Sequence, residues 1–483
     1  MNEPGATTLI KNCACLLTMD RARPVLDGGW VLVADHLISK VGDAAEPPPF
    51  ADTVIDASGH VVLPGLVNTH HHLFQTLLRV VPSVQDAELF SWLKDLYLFM
   101  GSLTDEMLYY SCLVGLAELM LSGCTTAQDH FYLSVNDTSF DTEIRAARAA
   151  GIRFHLSRGS FSVGQSLGGL PPDDTVEDED SILADCQRLV ENYHDPQPGA
   201  MLRIELAPCS PFSVSDRLMQ ESAVMARHYR VGLHTHLCET KDEESFCLER
   251  YGRRPVQLAQ DLGWTGPDVW YAHAVHINPD EIGLLARTGT GVAHCPSSNM
   301  RLGSGIAPVC EMLGEGVPVG LGVDGSASND SSHLLAEARM AMLLQRVKHG
   351  AKAMTASQAL ELATLGGARV LQRSDIGALR PGMAADLAGF DMRQLGYAGS
   401  VHDPAAALVF CNPGAVSFLM IHGRIAVERG EIAGLDLPRV IARHNQLAQQ
   451  LMARTEARFG HRLAARVWRW TSHNDSPSLG HAD

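Results

Sequence analysis

The chain has 483 residues, 46% hydrophobic and 19% charged, which is enough apolar material for a large core and too much for extensive disorder. Its formal net charge of −17 excludes nucleic acid as the main partner, because phosphate binding needs a cationic surface. No apolar run reaches the roughly 18 residues of a membrane helix, so no membrane partner is expected. Residues 1–11 lack the basic-then-apolar order of a secretory leader. Eleven cysteines lie scattered without a Cys-x-x-Cys pair, which fits reduced thiols and a cytoplasmic location.

In chain order, residues 8–13, 30–34, 37–41 and 53–56 read as short strands, with turn chemistry at Asp27-Gly28-Gly29 and Ser58-Gly59. From residue 61 the rhythm changes to apolar strands alternating with helical stretches, the pattern of a parallel α/β fold. Eight strands are expected, at 61–72, 125–130, 152–158, 203–208, 231–237, 268–275, 291–296 and 318–324. Helical periodicity lies between them, as at 106–121, 182–193 and 216–228. Eight such units predict a closed (β/α)8 TIM-like barrel over residues 61–376, with its active site at the C-terminal strand ends. The stretch 173–180 is acidic and reads as a solvated loop. Residues 377–391 and 418–427 resemble the first 60 in style, so both chain ends are expected to pair into a small β-sandwich domain, 1–60 with 377–435. Residues 436–483 read as a helix, 437–463, followed by a mobile tail.

The strand ends carry the chemistry. In Asn68-Thr69-His70-His71-His72, alternation puts His70 and His72 on one face, where two neutral imidazoles can hold one metal ion. A second pair, His234 and His236, ends the fifth strand, with Glu239 three residues on as a general acid/base. His234 reads as a structural or supporting histidine. His273 ends the sixth strand and Asp324 the eighth, where a carboxylate could complete a metal site and accept a proton from water.

The motif Pro64-Gly65-Leu66-Val67-Asn68-Thr69-His70, the His-x-x-Glu of His236 and Glu239, His273, and residues 322–329 (GVDGSASN) resemble the amidohydrolase superfamily, in its branch of nucleobase deaminases and triazine hydrolases. The resemblance covers nearly the whole chain. It implies that His70, His72, His236 and Asp324 bind one Zn2+, or another divalent transition metal, per subunit, and that Glu239, His273 and Asp324 are catalytic. Two-metal members bridge their ions through a carboxylated lysine on the fourth strand. Residues 203–208 hold none, and no lysine lies between Lys94 and Lys241, so one metal is expected.

For the substrate, Gln75 offers a donor and an acceptor to the amide edge of a purine or pterin, with a polar rim residue as the alternative. Arg158 could meet a carbonyl or anionic ring, with a structural salt bridge equally open, and Ser160, Gln165, Cys209 and Ser210 are further wall candidates. His130 and Asp129 read as support, His294 as pocket or packing, and His155, His276 and His333 as structural or surface groups. Residues 68–82, 122–132, 158–172, 207–214 and 295–305 are most similar to deaminases of 8-oxoguanine, which implies urate and ammonia as products. Isoxanthopterin, other pterins, guanine and s-triazines stay open as alternative substrates. The partner is thus a small heterocycle, and a homo-oligomer is compatible with the sequence without an evident interface.

Overall fold

The computed structural model describes residues 6–460. Eight parallel strands close into a barrel: Leu66–Asn68, Cys124–Phe131, Arg153–Ser160, Leu202–Pro208, Leu233–Leu237, Val269–His273, Gly291–His294 and Val319–Leu321. In this order they are barrel strands one to eight, and each matches one of the eight expected segments. Nearly every strand residue is buried, because helices cover the outer face and side chains fill the interior. The helices begin where the sequence supplies capping oxygens. Ser139, Asp178, Ser215 and Asn278 each accept a backbone N–H of the first turn. Left-handed glycines at Gly151 and Gly289 end two of them.

Both chain ends build a second layer pair beside the barrel. Strands Thr7–Lys11, Trp30–Ala34, Leu37–Gly42 and Thr53–Asp56 form a four-stranded sheet. A seven-stranded sheet joins Cys15–Leu17, Val25–Leu26 and His60–Pro64 to Leu387–Asp391, Phe418–Ile421, Arg424–Glu428 and Glu431–Ile432. Ile10, Val31 and Val33 from the first sheet pack on Leu387, Phe418 and Met420 from the second, so the pair is a sandwich with its own core.

The expected single strand at 61–72 is two elements. His60–Pro64 pairs with Leu387–Asp391 in the sandwich, and Leu66–Asn68 enters the barrel, so the change of layer falls at Gly65. A Cβ at Gly65 would lie 2.1 Å from Thr125 Cγ2 and 2.6 Å from its Cβ, so the Thr125 side chain fills the space that any other residue would need. The expected strand at 377–391 is extended only from Leu387 onward. Before it, a turn at Pro381-Gly382 and Asp386 tie the two layers together. Asp386 receives Nε and Nη2 of the buried Arg153 at 3.0 and 3.1 Å, and its carbonyl accepts from Gly65 N–H at 2.9 Å.

The acidic stretch at 173–180 is solvated in part, with Asp173, Asp174, Asp178 and Asp180 exposed, but it is also paired. Glu177 holds Arg158, Asp178 caps the helix Glu179–Tyr193, and Glu179 and Asp180 pair with Arg217. The final helix runs Leu437–Phe459 and ends on left-handed Gly460, earlier than expected, while the expected tail lies outside the described residues. This helix packs on Asp105–Leu121 and on the turn Leu73–Leu78 that follows the first barrel strand, with His444 Nε2 3.0 Å from Thr76 Oγ1. Among the described residues no helix is long and apolar enough to cross a membrane.

Candidate metal centre and active site

The ends of barrel strands one, five, six and eight bring His70, His72, His236, Glu239, His273 and Asp324 together. Hydrogen bonds fix where each imidazole carries its proton. His72 Nδ1 donates to the His130 carbonyl at 2.7 Å, and His236 Nδ1 to the Cys209 carbonyl at 2.8 Å, so both Nε2 atoms are bare. His234 Nδ1 donates to the Trp270 carbonyl at 3.1 Å, which leaves His234 Nε2 to accept from His70 Nδ1 at 2.8 Å. His70 Nε2 is therefore bare as well, buried and without a hydrogen-bond partner.

These three lone pairs face one another and a carboxylate. His72 Nε2 lies 3.0 Å from His236 Nε2, and Asp324 Oδ1 lies 3.4 Å from Nε2 of both His70 and His72. Burial keeps the rings neutral, lowering His236 to about 3, His70 well below its ordinary value and His72 below it. Burial alone would raise Asp324, but His70, His273 and His72 hold its carboxyl well below the usual range. Converging lone pairs repel unless a cation sits between them, so the donor set fits a divalent metal, and nitrogen with one carboxylate oxygen suits zinc. Other groupings take in His130, His234, Cys209 and His236, but there His70 Nδ1 and His234 Nε2 are spent on one another, His236 Nδ1 on a carbonyl, and no carboxylate is present to balance a cation. Burial also pushes the Cys209 thiol far up, so it stays protonated.

Glu239 and His273 stand beside this cluster. His273 Nε2 is 3.5 Å from Glu239 Oε2 and 3.9 Å from Asp324 Oδ2. Burial pushes Glu239 up to about 7, with His273 pulling it down and Asp324 pushing it up. Burial alone would lower His273, but Glu239 and Asp324 outweigh it and raise the ring above its ordinary value. The backbone is strained here. Cys238, His273, Ala274 and Asp324 all have positive φ, at 57, 75, 47 and 62°, a conformation that costs non-glycine residues about 1–3 kcal/mol each. Glu243 holds one such corner, accepting the N–H groups of Cys238 and Glu239 at 2.8 and 2.9 Å.

A cavity opens onto this cluster, with His72, His236, Glu239, His273 and Asp324 in its lining. Trp92, Tyr97, Tyr132, Phe161 and Phe212 supply its aromatic walls, and Gln75 and Ser210 its polar contacts. Gln75 is buried and held by two long contacts, its Nε2 3.5 Å from the Tyr132 hydroxyl and its Oε1 3.4 Å from Ala327 N–H. Gly325 makes room for that carboxamide, since a Cβ there would lie 1.8 Å from Gln75 Oε1.

Other candidates fall elsewhere. Arg158, expected at the pocket, instead points out of the barrel, where Glu177 and Asp185 hold it at 2.8 and 3.1 Å and Phe140 lies under its guanidinium. Ser160 is buried outside the cavity lining and Gln165 sits on an exposed turn, whereas Cys209 and Ser210 do line the cavity. His130 gives its carbonyl to His72 and Asp129 takes the Leu73 N–H, so both support the first strand end. His155 pairs with Glu205 at 2.5 Å, His276 meets the Ser304 carbonyl, and His333 caps the helix Leu334–His349. His294 is buried with neither nitrogen hydrogen-bonded among the described residues. The aromatic walls were missed in the sequence. Tyr132, Phe161 and Phe212 carried a signal, lying just past the second, third and fourth strands, while Trp92 and Tyr97 come from the helix Leu89–Met100, which lies over the cavity from between two barrel strands.

The chain is similar to known proteins over most of its length. Over 428 residues the chain is 49% identical to 8-oxoguanine deaminase of Pseudomonas aeruginosa, covering 88% of this chain and 95% of that one. Isoxanthopterin deaminase from an unknown prokaryotic organism is 36% identical, with 92% and 97% covered. The crystal structure of atrazine chlorohydrolase from Arthrobacter aurescens TC1, complexed with zinc, superposes with a TM-score of 0.87 at 33% identity, covering 91% of this chain and all of that one. The model of the amidohydrolase family matches residues 61–426, from the strand before Gly65 to the hairpin after the barrel. With that match spanning every strand end that contributes to the cluster, the chain belongs to the amidohydrolase family, as a metal-dependent hydrolase of C–N bonds.

Proposed function

We propose that the chain holds one zinc ion through His70, His72, His236 and Asp324 and hydrolyses 8-oxoguanine to urate and ammonia. The observation that carries the reading is the meeting of three bare imidazole nitrogens and the buried acid Glu239 at one aromatic-walled cavity. The 49% identity to an 8-oxoguanine deaminase supports the choice of ring. The lack of a lysine on barrel strand four, Leu202–Pro208, supports a single ion.

When bound, a divalent metal in this donor set supplies a water that ionises near neutral pH. The chain's residues do the rest. Glu239, held near neutrality by burial, protonates the ring nitrogen beside the amino-bearing carbon and makes that carbon electrophilic. His273 and Asp324 orient the attacking water and take its proton. Glu239, now ionised, takes the proton of the adduct's hydroxyl and passes it to the amino nitrogen. The C–N bond breaks as the C=O forms and ammonia leaves. The proton held by His273 and Asp324 then restores Glu239, so one water is consumed for each urate formed. Gln75 and the aromatic walls hold the planar ring. The eleven free cysteines, nine of them buried, support a reducing compartment, and we place the reaction in cytoplasmic purine breakdown.

A substrate panel tests the reading. Zinc-loaded protein is given 8-oxoguanine, guanine, isoxanthopterin and atrazine, with ammonia and chloride release followed. The expected result is ammonia from 8-oxoguanine, with kcat/KM at least about tenfold above the others. Preference for isoxanthopterin would overturn the ring assignment, and chloride release from atrazine alone would overturn the deaminase reading. Gln75→Ala is expected to raise KM by about tenfold or more while kcat changes less, because a buried polar contact to the ring is lost. Unchanged kinetics on every purine would make Gln75 a rim residue.

A further inference from the structure

His273 sits at a strained corner, since it and Ala274 are both left-handed, and its ring must present Nε2 to Glu239 and Asp324. A half-turn of the ring would put a carbon where Nε2 now stands. Packing does not prevent this, because the ring lies flat against His236, 5.6 Å away, and a flipped ring has the same outline. One hydrogen bond does distinguish the two orientations, that from His273 Nδ1 to Asn299 Oδ1 at 2.9 Å.

Asn299 is fully buried on the short helix Pro296–Arg301 and makes no other side-chain bond, its amide nitrogen lacking a partner among the described residues. A half-satisfied buried amide is a poor device for stability. Its backbone is pinned instead, with N–H bonded to the Cys295 carbonyl at 3.0 Å and its carbonyl to Ser304 N–H at 2.9 Å. The neighbours anchor the same helix. Ser297 N–H reaches Glu337 at 3.2 Å, and Ser298 Oγ reaches Ser328 Oγ at 2.9 Å.

We infer that Asn299 is a positioning residue for the reaction, fixing the ring orientation and Nδ1–H tautomer of His273 so that Nε2 faces the attacking water. The inference rests on the deaminase reading for its kinetic test but not for its structural one. Asn299→Leu keeps the branched outline of four side-chain heavy atoms, though bulkier, and removes the acceptor, and Asn299→Asp keeps the acceptor.

The experiment measures kcat and KM on the best substrate of the wild type, bound zinc, thermal stability, and neutron crystal structures of both variants, which tell ring nitrogen from ring carbon and show the Nδ1 proton. The expected result for Asn299→Leu is a kcat lower by about 10–100-fold, with KM and bound zinc near wild type and the His273 ring turned away from Glu239. Asn299→Asp is expected to keep the ring in place and restore most of kcat. A His273 ring unmoved in Asn299→Leu would overturn the inference, as would a kcat near wild type, or equal losses of kcat in both variants accompanied by lost zinc or stability. If no substrate in the panel is turned over, the ring orientation in the two neutron structures still decides the point, so failure of the substrate assignment is distinguishable from failure of this inference.

Discussion

Replacing Glu239 by Gln is expected to lower kcat by about 10²–10⁴-fold while the protein keeps its metal. The carboxamide matches the carboxyl in shape and leaves the backbone bond of residue 239 to Glu243 intact, so the loop should hold its place. It cannot give up a proton and take it back. Glu239 reaches none of the three bare imidazole nitrogens that make up the cation site, and its closest ionic contact is His273 Nε2 at 3.5 Å, so metal content should not change. The check is kcat on 8-oxoguanine together with elemental analysis of the same sample. Turnover near wild type would remove Glu239 from the acid/base role, and loss of metal would make it a ligand.

Asp324→Asn should do more. Asp324 is the charged group against which His70 and His72 are set, with Oδ1 3.4 Å from each, and its second oxygen lies 3.9 Å from His273 and 3.3 Å from Ser328 Oγ. An amide in its place removes the negative charge that neutralises the cation and also the acceptor for the proton of the attacking water. Groups that merely support a metal ligand already cost about 10–100-fold in affinity or activity when lost, so losing this one is expected to exceed that range in both. Competition with a chelator gives the affinity and the same kinetic assay gives the rate. A variant that binds zinc as tightly as wild type would show that the three histidines suffice.

The fold was legible where side-chain period and turn chemistry act locally. His70 and His72 share a face by strand alternation alone, and the eight apolar segments are the eight barrel strands because buried parallel strands need no polar face. The boundary at Gly65 was hidden because both halves of 61–72 are buried and apolar, and only the Pro64-Gly65 dipeptide marks the crossing between layers. Arg158 shows what sequence order conceals. It ends a strand beside the site, yet its partners Glu177 and Asp185 arrive from 19 and 27 residues later and draw the side chain to the outer face. The acidic stretch looked like solvated surface because the cations it meets, Arg158, Arg217 and Arg458, are scattered over the chain. Trp92 and Tyr97 escaped for a similar reason, since an apolar helix reads as core until its position over the cavity is known.

The central claim is that catalysis runs through one cation held by nitrogens that have no other partner. The direct measurement is to strip the protein of metal, show by elemental analysis that none remains, and titrate zinc back while following ammonia release from 8-oxoguanine. The stripped protein should be inactive, and activity should rise linearly and break at one zinc per chain. Full turnover by metal-free protein, or a break at two, would contradict the account.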